Sequence, residues 1–258
     1  MAAISVSFNG YVLQNSSFRT RIIQHTDIPE KLVQAEGRAR ADGMQVVNVR
    51  YGGREIDVEG MMSAADRQTL VTLIDTMKLN IKDASGVLDI DYGNGTRRYY
   101  ATVTKLDIPE DFYNITSVPY KITFFCADPF GYATTSGNLS FSGVTAMLND
   151  YVITVSGSID SDPVVQLTLT TVVAHATITL SNETTGEAIV IAKATGNFSN
   201  GDVVLIDCKR KVVQLNGSGL DYTGRFPGLS VPTTRLRIAM AATSVNYAPV
   251  VRYSPRYL

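Results

Sequence analysis

The stretch KITFFCADPFGYATTSG, residues 121–137, changes character at its middle. Ile122, Phe124 and Cys126 alternate with Thr123 and Phe125, the period of a strand with one buried face. Asp128-Pro129 then stops the run, because proline fixes φ and has no N–H to give a ladder. Phe130 and Tyr132 follow, and small polar residues take over. Whether a strand or a domain ends here decides how the chain is organised.

Charge divides the chain at the same place. Residues 1–130 hold 14 Lys/Arg and 16 Asp/Glu, whereas residues 131–258 hold 9 and 8. The second part is rich in Thr, Val, Ser and Gly, the composition of strands joined by tight turns. We therefore expect two domains, 1–130 and 131–258, with Asp128, Pro129 and Phe130 as the hinge between them.

The first part reads as mixed. ISVSF (4–8), Asn9-Gly10 and YVL (11–13) form one hairpin pattern, and MQVVNVRY (44–51), Gly52-Gly53 and REIDVEG (54–60) a second. A helix is expected from Ser63 to about Lys82, with Ser63 as cap, Asp66 completing a capping-box variant, and Leu70, Leu73, Ile74, Met77 and Ile81 as its apolar stripe. A weaker helix fits Pro29–Arg40, interrupted by Gly37. GVLDIDY (86–92) and RRYYATVTKLDI (97–108) form another hairpin. YNITSVPYKITFFCA (113–127) closes the half, Pro119 marking an edge or bulge. This is an α+β arrangement, with Phe124 or Phe125 in its core. The second part shows eight strand-like runs and no helix, the pattern of an antiparallel sandwich or jelly roll.

A net charge of −1 argues against a general nucleic-acid or membrane-surface binder. No run approaches the roughly 20 apolar residues of a membrane span. MAAISVSFNG lacks the regions of a signal peptide, so we expect a soluble protein made in a cytosol, and the N-x-S/T sequons, the first at Asn15, carry little weight. Cys126 and Cys208 lie in apolar runs and read as buried free thiols.

Chemistry is sparse. His25 and His175 stand alone, and a Cys208–His175–Asp triad or a hydrolase using His175 with a carboxylate has no supporting motif. Asp57/Glu59 and Asp89/Asp91 each point to one strand face, where they could bind a divalent cation or do acid/base work, but a solvated sheet face explains them. Asp160 and Asp162 fit an Asx-type turn before Pro163 better than a calcium loop, and Lys209-Arg210-Lys211 fits a hairpin turn. No enzyme, metal or cofactor is expected. Tyr222 is a possible exposed aromatic contact.

Arg98-Tyr99, Asp128-Pro129-Phe130, Ile206-Asp207 with Val213 and Asn216-Gly217, Phe226-Pro227-Gly228-Leu229 and the closing RYSPRYL occur in an order that covers nearly the whole chain. In this it resembles the distal tail protein family of siphophages, the long non-contractile-tailed bacteriophages. Where relatives tend to have Pro-Gly-Asn before the penultimate strand, this chain has Pro232-Thr233-Thr234. The resemblance implies a tail-tube-like β-barrel or sheet with a flanking helix, followed by a galectin-like β-sandwich. It further implies a structural component of the virion tail tip or baseplate, assembled in the host cytoplasm. Six copies would form a ring joining the tail-tube protein to tail-tip and receptor-binding proteins, with a channel through which DNA passes unbound. The alternative is a carbohydrate-binding host adhesin acting through the sandwich.

Overall fold

A computed structural model describes residues 5–24, 27–38, 42–82, 85–109, 116–173, 177–193, 196–242 and 244–258. Strands make up 59% of the structure and helix 6%, so the expected α+β class for the first part is wrong: it is a curled β-sheet structure carrying, among the described residues, a single helix. The chain divides into two compact units, residues 1–132 with Leu258, and residues 133–257.

In the first unit the strands are β1 (Ser5–Phe8), β2 (Tyr11–Val12), β3 (Phe18–Gln24), β4 (Lys31–Gly37), β5 (Met44–Tyr51) and β6 (Arg54–Ser63). Helix α1 (Arg67–Ile81) follows, then β7 (Gly86–Asp91), β8 (Thr96–Asp107) and β9 (Ser117–Cys126), and β10 (Gly131–Ala133) runs across the boundary of the unit. Seven strands lie in the order β2-β1-β7-β8-β9-β6-β3, antiparallel throughout. Asn9 and Gly10 both take positive φ (49° and 81°), the turn that matches strand twist in a two-residue hairpin. Alternate residues Ile56, Val58 and Met62 of β6, and Val118, Tyr120, Ile122, Phe124 and Cys126 of β9, face one core, onto which α1 lays Leu70, Ile74, Met77 and Ile81. Phe124 lies in that core, while Phe125 stands on the opposite face.

Local expectations fail here for identifiable reasons. The Pro29–Arg40 stretch holds strand β4 in place of a helix, because pairing with β5 overrides a composition that only weakly favours helix. β5 does not pair with β6 across Gly52-Gly53; it pairs with β4, and β6 enters the main sheet between β3 and β9. Gly53 permits that departure, since a Cβ there would lie 2.6 Å from the Phe125 ring. Ser63 ends β6, and the helix is capped by Asp66, whose carboxylate accepts from the Thr69 amide at 2.8 Å. Pro119 exposes no broken ladder: β8 stops pairing at Asp107 opposite Lys121, so only β6 flanks the proline.

The second unit contains β11 (Gly137–Ser140), β12 (Leu148–Thr154), β13 (Val164–Val173), β14 (Thr177–Asn182), β15 (Glu187–Ala192) and β16 (Val203–Asp207). β17 (Val212–Leu215), β18 (Ser218–Gly219), β19 (Tyr222–Gly224), β20 (Thr233–Ala241), β21 (Ser244–Tyr253) and β22 (Arg256–Tyr257) complete it. One sheet runs β11-β21-β13-β16-β17-β18, the other β12-β20-β14-β15-β19. Val165, Leu167, Val204 and Val251 from the first interleave with Ile178, Leu180, Ile189 and Ile238 from the second in one core. Lys209-Arg210-Lys211 forms the β16–β17 turn, with Lys211 at φ 57°.

Candidate assembly interface

β4 and β5 form a two-stranded ribbon separate from the main sheet. Its register pairs Val33 with Val49, Ala35 with Val46 and Gly37 with Met44, while Leu32 faces Arg50, Gln34 faces Asn48 and Glu36 faces Gln45. A register shift between Gln34 and Ala35 leaves Val47 as the extra residue beside Val46. Alternation therefore sorts Val33, Ala35, Met44, Val46 and Val49 onto one face, and all of the other set except Leu32 is polar. That apolar face is uncovered: Val33 is 57% exposed, Met44 66%, Val46 56%, Val47 53% and Val49 50%. An isolated two-stranded hairpin is marginally stable in water, and an apolar patch of this kind marks a protein-binding surface.

The ribbon's base is fixed. Gly52 donates its amide to the Glu30 carbonyl at 2.7 Å, and the Lys31 ammonium sits 5.7 Å from the Tyr51 ring. Arg54, only 4% exposed, donates to the Asp27 carbonyl at 2.9 Å and lies 5.8 Å from the Tyr99 ring. Its Nε has no hydrogen-bond partner, and no carboxylate stands within ion-pair distance among the described residues. Sequence reasoning passed over both features. Asp42-Gly43 gave a turn signal for the ribbon, but nothing in the sequence marked Arg54 as buried.

The outer face of the main sheet gathers the paired carboxylates. Lys121 bridges Asp57 at 2.8 Å and Glu59 at 3.0 Å, and Thr123 donates to Asp57 at 2.7 Å. Burial works to raise the Asp57 pKa, but the hydrogen bonds from Lys121 and Thr123 hold it below the ordinary value. Asp89 accepts two hydrogen bonds from Arg98, at 2.9 and 2.8 Å, and Asp91 accepts from the Gly93 amide. Each pair is thus engaged with its own sheet. Among the described residues no group of three or more His, Cys, Asp or Glu is placed to hold a metal. Asp160 accepts from the Val231 amide at 3.2 Å and Asp162 from Arg256 at 3.2 Å, so both brace loops.

Asp128, Pro129 and Phe130 are tightly held. Asp128 accepts from the Phe130 amide at 3.3 Å and from the Tyr132 hydroxyl at 2.5 Å, Pro129 is buried, and Phe130 meets the Tyr51 ring edge-on at 5.5 Å. Tyr222 is 39% exposed, but its ring packs edge-to-face on Phe226 at 4.7 Å and its hydroxyl donates to the Lys211 carbonyl at 3.2 Å. It closes the side of the sandwich beside β15. Cys126 and Cys208 are free and buried, and burial pushes both thiols up to about 12. His25 and His175 lie outside the described residues. No described helix is long and apolar enough to cross a membrane.

Comparison with known proteins meets this picture. Residues 156–257 match the family described as siphovirus-type tail component, C-terminal domain. No curated protein matches in sequence. Among solved structures, the SPP1 Dit (gp 19.1) protein aligns over 99% of this chain and 100% of its own, with 13% identity and a TM-score of 0.71. Chains of the phage P2 baseplate in its activated conformation align over 98% (with Ca) and 97% (with Sr) of this chain, at 11% identity and TM-scores of 0.43 and 0.42, with 97% of each of those chains covered. The resemblance read from Asp128-Pro129-Phe130, Ile206-Asp207 and Phe226-Pro227 is borne out: residues 156–257 match the siphovirus-type tail component C-terminal domain, and the chain has the fold of a siphophage distal tail protein.

Proposed function

We propose that this chain is a structural component of a phage tail tip or baseplate, in which several copies, most simply six, close a ring through their first units. The observation that carries the reading is the β4–β5 ribbon, whose exposed apolar face has no cover within its own chain among the described residues. A heterologous contact of this kind closes into a ring when the rotation per subunit fits. The ring would join the tail tube to tail-tip and receptor-binding proteins. Residues 1–130 and 131–258 would act as separate domains joined through the braced segment Asp128, Pro129 and Phe130, with the sandwich docking other tail proteins.

The outer sheet face suits a channel wall. Glu55, Asp57, Glu59, Asp89, Asp91 and Asp107 alternate with core residues on that face, as do Arg19, Arg98, Lys105 and Lys121, and Arg21 at the β3 bulge lines it beside Glu59 and Lys121, giving six acids against five bases. Such a surface offers DNA no run of free cations and so no grip. The role requires no catalytic group. Light scattering on the purified chain, alone and with its tail-tip partner, should find a discrete oligomer of about six copies. A chain that stays monomeric under both conditions would sink the proposal.

A further inference from the structure

The ribbon and the segment after β9 share one contact path. Lys31 and Tyr51 are register partners at the ribbon's base, with the Lys31 ammonium 5.7 Å from the Tyr51 ring. Tyr51 meets Phe130 at 5.5 Å with the rings at 80°. Phe130 donates its amide to Asp128, whose other carboxylate oxygen accepts from Tyr132, and Tyr132 packs on Tyr100 of β8 at 5.9 Å. Pro129 between them is buried and has a fixed φ, so little displacement of Phe130 can be absorbed there. On the other side of Tyr51, Gly52 and Gly53 leave the ribbon's last residue free of side-chain bulk behind it.

We propose that the Tyr51–Phe130 ring pair couples the ribbon to residues 128–132, so that covering the ribbon is registered at the segment leaving the first unit. This rests on the ring reading for what covers the ribbon, but the coupling itself is a property of the single chain. Coupling needs an element with two arrangements that both ends bias. Under the ring reading the two ends of that equilibrium are the ribbon uncovered in the free chain and the ribbon held by a neighbouring copy. The ring edge is the specific part of the link, since an edge-to-face pair contributes beyond the area it covers.

Hydrogen exchange read by mass spectrometry tests this on the full chain, first at a dilution where it is monomeric. Tyr51→Leu, which keeps bulk and removes the ring, should speed exchange in peptides spanning 130–133 about fivefold, the loss of one such ring pair. Phe130→Leu should speed exchange across 44–51 by a similar factor, and the double variant should match the singles rather than multiply them. Effects confined to the substituted segment, or multiplying in the double variant, overturn the coupling. In a second arm at assembling concentration, wild type should slow exchange at 130–133 while Tyr51→Leu, still assembled, should not. Equal slowing in both also overturns it. A chain that never assembles counts against the ring reading, whereas the dilute arm alone decides the coupling.

Discussion

Replacing Val46 and Val49 by serine tests the ribbon directly. Burying such a side chain completely is worth about 1.5–3 kcal/mol, and these two stand 56% and 50% exposed, so covering the remainder is worth about 1 kcal/mol each. The double variant should then lose about 2 kcal/mol per subunit contact, a roughly thirtyfold weaker association. Neither side chain belongs to the core of the first unit, so the melting temperature of the dilute chain should hardly move. Gln45→Ser, on the polar face of the same strand, should leave association as it was. Sedimentation velocity across a concentration series reads the result. If V46S/V49S assembles as tightly as wild type, or if Q45S weakens assembly as much, the apolar face is not what joins the copies.

Three further outcomes follow from the geometry. Gly60→Ala places a Cβ 2.6 Å from the Arg19 carbonyl and from the Tyr120 ring, so calorimetry should show a loss of about 1–3 kcal/mol in stability; an unchanged melt would mean β6 can shift freely. Asp150 accepts hydrogen bonds from Arg237 and Arg235, which hold its pKa down at about 2. A depressed folded-state pKa stabilises above the unfolded value near 4 and is lost as pH falls toward 2, so Asp150→Asn should flatten acid unfolding across that window; an unaltered profile removes the network from the acid response. Arg54→Met removes a buried cation that has no carboxylate partner while keeping its stem, so it should hold or raise the melting temperature, and a large drop would show that the guanidinium bonds to Asp27 and Tyr99 outweigh its desolvation.

Features whose cause is local were legible in the sequence. The α1 stripe of Leu70, Ile74, Met77 and Ile81 is buried as its spacing implied, and each of the eight runs in the second part contains a strand. What escaped depends on partners remote in the chain. Residues 31–37 carry a composition weakly suited to helix, and only the presence of β5 makes them a strand. Gly52-Gly53 has the form of a hairpin turn, yet the next strand finds β9, some seventy residues on, as its partner. The Asp57/Glu59 pair could be placed on one face, but its engagement by Lys121 is a matter of sheet order. Tyr222 could be seen as an aromatic in a loop-rich stretch, but not as a plug resting on Phe226. Asp66 displaced Ser63 as cap because the preceding ladder continues through Ser63, opposite Ser117.

The uncovered ribbon also sets a clock. A freshly made chain carries four half-exposed valines and one methionine on an unpaired two-stranded edge, the surface on which misassembly begins. Every minute spent unassembled is a minute of exposure to the wrong neighbour. Synthesis in step with the partner that templates assembly would shorten that interval, and overproduction in isolation would lengthen it. The same valines would then sort the population between ordered closure and precipitate, according to which encounter comes first.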